Sequence, residues 1–157
     1  MVCELDSPKQ LGGGKGNMAF YKLKEHATPG ICEPRLLDEQ ERKQIQHQIA
    51  NHVKQCIKEK FDKGPEAMQV TIAGDMIIIK SGGYLTRIEK YIIEKEPGGA
   101  ETVRSIRADA VAGIVSEGEL IAFLEQQVGA KATYSMHDSY PQDEYCIWIF
   151  LFDRQLA

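Results

Sequence analysis

A chain of 157 residues, 43% apolar and 27% charged, has the size and make-up of one ordinary globular domain and is too short for two with a linker. Its net charge of −4 gives no electrostatic reason to expect nucleic acid or an anionic membrane as partner. The N-terminus carries no apolar stretch of the signal-peptide kind, and the longest apolar run, residues 145–152, is too short to cross a bilayer as a helix, so direct membrane insertion is not expected.

Residues 1–35 hold a glycine-rich run at 12–16 and the prolines Pro8, Pro29 and Pro34, with no sustained periodicity. They are expected to form an irregular or mobile N-terminal arm, with a short ordered piece around residues 18–23. The run Gly12 to Gly16 resembles a phosphate-binding loop only in composition. Gly16 follows Lys15 where a P-loop needs Ser or Thr, and no apolar strand precedes it. Residues 36–157 read as a single α+β domain.

That domain opens with a helix near Asp38, where Asp38 and Glu41 have the spacing of a capping box. Ile45, Ile49, Val53, Cys56, Ile57 and Phe61 then recur at steps of three and four along one face, and Gly64-Pro65 is the expected stop. Met68, Val70 and Ile72 alternate with Gln69 and Thr71 as a half-buried strand. Gly74-Asp75 provides a tight turn into a returning strand at 76–79. After Ser81-Gly82-Gly83, Thr86 and Glu89 form a second capping box that starts a short helix ending before Pro97.

A longer helical pattern follows through Val103, Ile106, Ala110, Ile114, Ile121, Leu124 and Val128, interrupted at Glu117-Gly118 and stopped by Gly129. Ala130, Ala132, Tyr134 and Met136 alternate with Lys131, Thr133, Ser135 and His137. The last strand, 145–152, is apolar on both faces: Tyr145, Ile147, Ile149 and Leu151 on one, Cys146, Trp148, Phe150 and Phe152 on the other. Such a strand is buried on both sides, or meets another chain on one. The expected architecture is two helix-plus-β-hairpin halves forming a four-stranded, mostly antiparallel sheet with helices packed on it.

No constellation of residues marks a catalytic site. Cys3, Cys32, Cys56 and Cys146 are dispersed, without a CxxC pair or a histidine at zinc-finger spacing, as in a reduced cytoplasmic protein. His47 and His52 lie five apart, so they do not stack as a metal-binding helical pair, and His26 and His137 have no matching cluster; no metal and no cofactor is expected. Asp75 is explained by its turn, and Thr86 and Glu89 by capping, although Thr86 and His137 also bear groups that could meet a ligand. Arg104 and Arg107 share a helix face at i,i+3. They could hold an anion or a partner's carboxylate, or form surface salt bridges with Glu101 and Asp109.

The succession Gly64-Pro65, the hairpin around Gly74-Asp75 and Leu85-Thr86-x-x-Glu89 resembles the MpsC-type family of bacterial proteins. Arg107, Gly129, Asp138 and an aromatic-aliphatic final strand ending near Asp153 extend the resemblance over residues 37–154. Membership implies a small soluble component beside integral membrane subunits of a sodium-translocating, membrane-potential-generating system linked to inorganic carbon uptake. It implies no catalytic residues.

Together these readings favour a non-enzymatic accessory or regulatory protein that is a homo-oligomer and docks on a membrane transport subunit. It would be cytoplasmic, peripheral to the membrane through that partner, and would not bind nucleic acid. Trp148, Phe150 and Phe152 are the expected contact residues, with Arg104 and Arg107 lending polar specificity. The alternative is a small-anion or nucleotide-binding sensor using Arg107, Thr86 and His137.

Overall fold

The structure, a computed structural model, describes residues 19–23 and 35–157. Most of the expected arm, with Cys3, the glycine run, His26 and Cys32, lies outside the described residues. The elements in order are β1 (Ala19–Lys22), α1 (Glu39–Phe61), β2 (Ala67–Ala73), β3 (Met76–Gly82), α2 (Arg87–Lys95), α3 (Gly99–Ser116), α4 (Glu119–Val128), β4 (Ala132–Tyr140), a short 3-10 turn (Pro141–Asp143) and β5 (Tyr145–Phe152). Among these, no helix is long and apolar enough to cross a membrane.

Local chemistry sets the helix ends. Asp38 accepts the Glu41 backbone N–H while the Glu41 side chain accepts that of Asp38, closing the box at the head of α1. Thr86 and Glu89 do the same for α2. The stop of α1 differs from expectation: Asp62, left-handed at φ 57°, ends the helix two residues before Gly64. Gly118, at φ 81°, separates α3 from α4 where the periodicity breaks. Gly99 lets α3 begin against α2, because a Cβ there would sit 2.0 Å from the Ile92 carbonyl oxygen.

The sheet has five strands in the order β1-β4-β5-β3-β2, every neighbouring pair antiparallel. The expected antiparallel sheet with helices packed on it is present, and the expected strand number of four is corrected to five. Both local hairpins form, and they join through β3 and β5, which makes β5 the central strand. The fifth strand is β1, at the short ordered piece expected around residues 18–23; its pairing with residues 134–137 of β4 spans more than a hundred residues, so its partner has no local signal.

The helices cover one face. Ile49, Val53 and Ile57 of α1, Val103 of α3 and Leu120, Ile121 and Leu124 of α4 meet Ile77, Ile79, Trp148 and Phe150 in a single core. The assignment of Trp148, Phe150 and Phe152 as partner contacts is therefore corrected: they are only 3%, 1% and 4% exposed, under the chain's own helices. The opposite face of β5, with Ile147, Ile149 and Leu151, lies outside this core. Met76 and Ile78 of β3 and Met136 of β4 flank it, all half-buried.

One irregularity decides what β4 presents to the core. Ala132 pairs with Phe152 but Tyr134 pairs with Leu151, so β4 carries an extra residue between them. A bulge of one residue exchanges the faces of every side chain beyond it. As a result Ala132 is buried and so are the polar Ser135, His137 and Ser139, whereas Tyr134 is 41% exposed.

Candidate functional site

The bulge turns Ser135, His137 and Ser139 toward the core, and near them the two arginines of α3 find carboxylates, Arg107 on α2 and Arg104 toward the end of β4. Arg107 donates from Nε to Glu89 Oε1 and from Nη2 to Glu89 Oε2, both at 2.6 Å, and from Nη2 to the Tyr84 carbonyl at 2.9 Å. Its guanidinium lies 3.7 Å from the Phe61 ring centre and 4.9 Å from that of Tyr84. Glu89 Oε2 also accepts the Thr86 backbone N–H at 2.7 Å, so one carboxylate serves both the cap of α2 and the ion pair with α3. Burial alone would push the Glu89 carboxyl up, but hydrogen bonds from Arg107 and the Thr86 backbone outweigh it and hold the carboxyl below the usual range.

Arg104, one turn earlier, pairs elsewhere. Its Nε and Nη2 lie 3.1 and 2.7 Å from Asp138 Oδ1, and Nη2 lies 2.9 Å from Oδ2. Glu101 stands 3.7 Å from Nη1. The Ser139 backbone N–H donates to Asp138 Oδ1 at 2.8 Å. Among the described residues β1 pairs with β4 only as far as His137, so the Arg104–Asp138 pair closes the strand edge just where β1 leaves it. The surface pairing expected for Arg107 with Asp109 is replaced by a buried one, because its position on α3 faces α2.

His137 separates two spaces. On one side a cavity of about 20 Å³, lined by Ser81, Tyr84, Arg107, Ser139, Cys146 and Trp148 among others, has room for about one water molecule. On the other, a larger pocket of about 120 Å³ lies between α3 and β4, beside Glu101, Arg104, Ser105 and Asp138. The imidazole stacks on Tyr21 of β1 with ring centres 5.8 Å apart. Its Nε2 is buried without a partner, so the hydrogen bond to the Ala108 carbonyl comes from Nδ1. Cys146 accepts from Trp148 Nε1 at 3.1 Å, and burial pushes its thiol up to about 11, which disfavours a nucleophilic thiolate.

Burial lowers the His137 pKa from 6.5, opposed by the charge of Asp138 and the bond to Ala108. The native state therefore binds fewer protons than the unfolded chain between the lowered value and 6.5. Stability should be unaffected above that window and fall as pH drops through it. Chemical denaturation across this range checks the sign, and His137→Gln should flatten the slope.

The residues singled out from the sequence thus fall into separate groups. Thr86 and Arg107 meet at Glu89; Arg104 is held by Asp138; His137 reaches both spaces; Trp148 lines the small cavity, and Phe150 and Phe152 lie in the core. Arg107 and His137 line that small cavity together, and Thr86 is not part of its lining. Elsewhere, His52 stacks on Phe123 at 3.9 Å, in keeping with its place near the apolar side of α1. Among the described residues no cluster of three or more His, Cys, Asp or Glu could hold a metal ion. Sequence reasoning missed the second role of Glu89, which its capping spacing concealed. It also chose for partner contact the side of β5 that the chain's own helices cover, although both faces were visible in the alternation.

Comparison with known proteins adds two findings. A family model described as Na+-translocating membrane potential-generating system (MpsC) matches residues 41–154. The chain is also 26% identical over 110 residues to the uncharacterized protein YrhF of Bacillus subtilis (strain 168), covering 70% of this chain and 88% of that protein. No solved structure matches the chain.

Proposed function

This chain belongs to the MpsC family, and on that premise we propose that it is a non-enzymatic accessory or regulatory component of a Na+-translocating, membrane potential-generating system, acting through protein contact at the open face of its sheet. One observation carries the reading. Met76, Ile78, Met136, Ile147, Ile149 and Leu151, on three adjacent strands, form an apolar strip that no part of the core cluster covers. Exposed Tyr134 and Tyr145 border it, as do Lys22 and Lys80, giving an apolar centre with an aromatic and polar rim.

The occupant follows from the family's description: ion translocation runs through membrane-embedded protein, so the strip meets a membrane-embedded chain of the same system. That contact holds this chain at the cytoplasmic surface. The sensor reading has less support, because Arg107 and Thr86 are already committed to Glu89 and the cavity beside Arg107 is smaller than a nucleotide.

The test is membrane potential, followed with a potentiometric dye, in native cells lacking the gene. The wild-type chain should restore the potential, and Ile149→Lys should not, while keeping the wild-type melting temperature when purified. Full restoration by a folded Ile149→Lys, or an unchanged potential on deletion, overturns the proposal.

A further inference from the structure

We infer that β2 is a dimerisation edge, on which a second copy of this chain adds its own β2 to give a continuous ten-stranded sheet across a twofold axis. The inference is independent of the open-face contact proposed above, since it uses backbone groups at the rim of the sheet.

The direction of those groups follows from the turn and the register. Phe152 N–H donates to the Asp75 carbonyl, in line with the pairing of Ile77 with Phe150 and of Ile79 with Trp148. Ile77, Ile79 and Ser81 therefore turn their backbone groups to β5, whereas Met76, Ile78 and Lys80 turn theirs to Ala73, Thr71 and Gln69 of β2. The backbone N–H and C=O of Met68, Val70 and Ile72 then point away from the sheet. The Gln46 side chain confirms this, because its Nε2 donates to the Val70 carbonyl from outside. No other backbone partner of these three outward residues occurs among the described residues.

Edge strands in natural sheets are blunted by charge, proline, a bulge or brevity. The opposite edge of this sheet has such devices: β1 is four residues long with Lys22 at its end, and Arg104 with Asp138 closes the rest of β4. β2 has none. It runs seven residues, AMQVTIA, without charge or proline, and pairs with β3 without a register shift.

The sequence of β2 also complements itself. Antiparallel pairing centred on Val70 sets Met68 opposite Ile72 of the second copy on the helix-covered side. On the open side it sets Gln69 opposite Thr71, and Ala67 opposite Ala73. Apolar thus meets apolar, polar meets polar, and the outer pair is small. Gln46 holds the central carbonyl in the single chain and yields it to the Val70 N–H of the second copy.

Light scattering with size exclusion should give the wild type twice its 17.6 kDa chain mass at concentrations of about 100 µM. Gln69→Lys/Thr71→Lys sets lysines opposite lysines on the exposed side and should give the single-chain mass with the far-UV spectrum retained. Should that double variant fail to fold, Gln69→Glu/Thr71→Glu, which sets carboxylates opposite carboxylates, serves. In a background with Cys3, Cys32 and Cys56 replaced by serine, Gln69→Cys/Thr71→Cys should give a covalent dimer under mild oxidation, and neither added cysteine alone should, because residue 69 faces residue 71 and not itself. A monomeric wild type, a dimer that survives the lysines, or cross-linking in a single-cysteine variant overturns the inference. Ile149→Lys lies on another surface and should leave the dimer intact, so failure here and failure of the open-face contact are told apart.

Discussion

Arg107→Leu should destabilise the fold by about 3–5 kcal/mol, the range for removing one partner of a buried ion pair. The loss comes from Glu89, only 8% exposed, which keeps its charge and loses the two 2.6 Å bonds that hold it. Glu89→Leu should cost a similar amount, plus about 1 kcal/mol for the cap of α2. The double variant Glu89→Leu/Arg107→Leu should be far more stable than the sum of the two, since nothing charged is then left buried. Urea unfolding of the four proteins measures the coupling, and additive losses would show that the pair is not desolvated in solution. The native Glu89 carboxyl lies below its ordinary value of 4.5, so the stabilisation is present above that pH and fades as pH falls through the lower native value.

Trp148→Ala should cost about 3–5 kcal/mol, whereas Ile149→Ala next to it should cost about 1 kcal/mol or less. The two residues are adjacent in sequence and differ in face: Trp148 is 3% exposed under the helices, with its Nε1 on the Cys146 sulfur, and Ile149 lies outside the core. Denaturant midpoints at equal slope decide the point. Equal losses at both positions would mean that the open face of β5 is covered as tightly as the core.

Features written in a few consecutive residues were legible. Asp38 with Glu41, Thr86 with Glu89, the turn at Gly74-Asp75 and the break at Gly118 each rest on chemistry within four residues, and each is present in the structure. Features that depend on distant parts of the chain were not. The pairing of β1 with β4 has no local pattern. The extra residue after Ala132 exchanged the faces of β4, so the alternation of alanine, tyrosine and methionine pointed the apolar set outward and buried Ser135, His137 and Ser139. The Arg107 pair followed from the packing of α2 on α3 and the Arg104 pair from that of α3 on β4, neither of which spacing on one helix reveals. The family was legible because it rests on the order of the short motifs, which the match over residues 41–154 bears out.

The central position of β5 bears on how the chain folds. The two hairpins are local and close within a few residues, but the seam that joins them sets Ile77 beside Phe150, more than seventy residues away. Loop-closure entropy makes such contacts late and slow. Until β5 docks, β3 and β4 each present an unpaired side, and the helices of the first half have only a two-stranded ribbon to pack on, which is marginal alone in water. The protein is thus one cooperative unit in spite of its two-part layout, and a fragment ending before Tyr145 would expose those strand sides to aggregation instead of folding as half a domain.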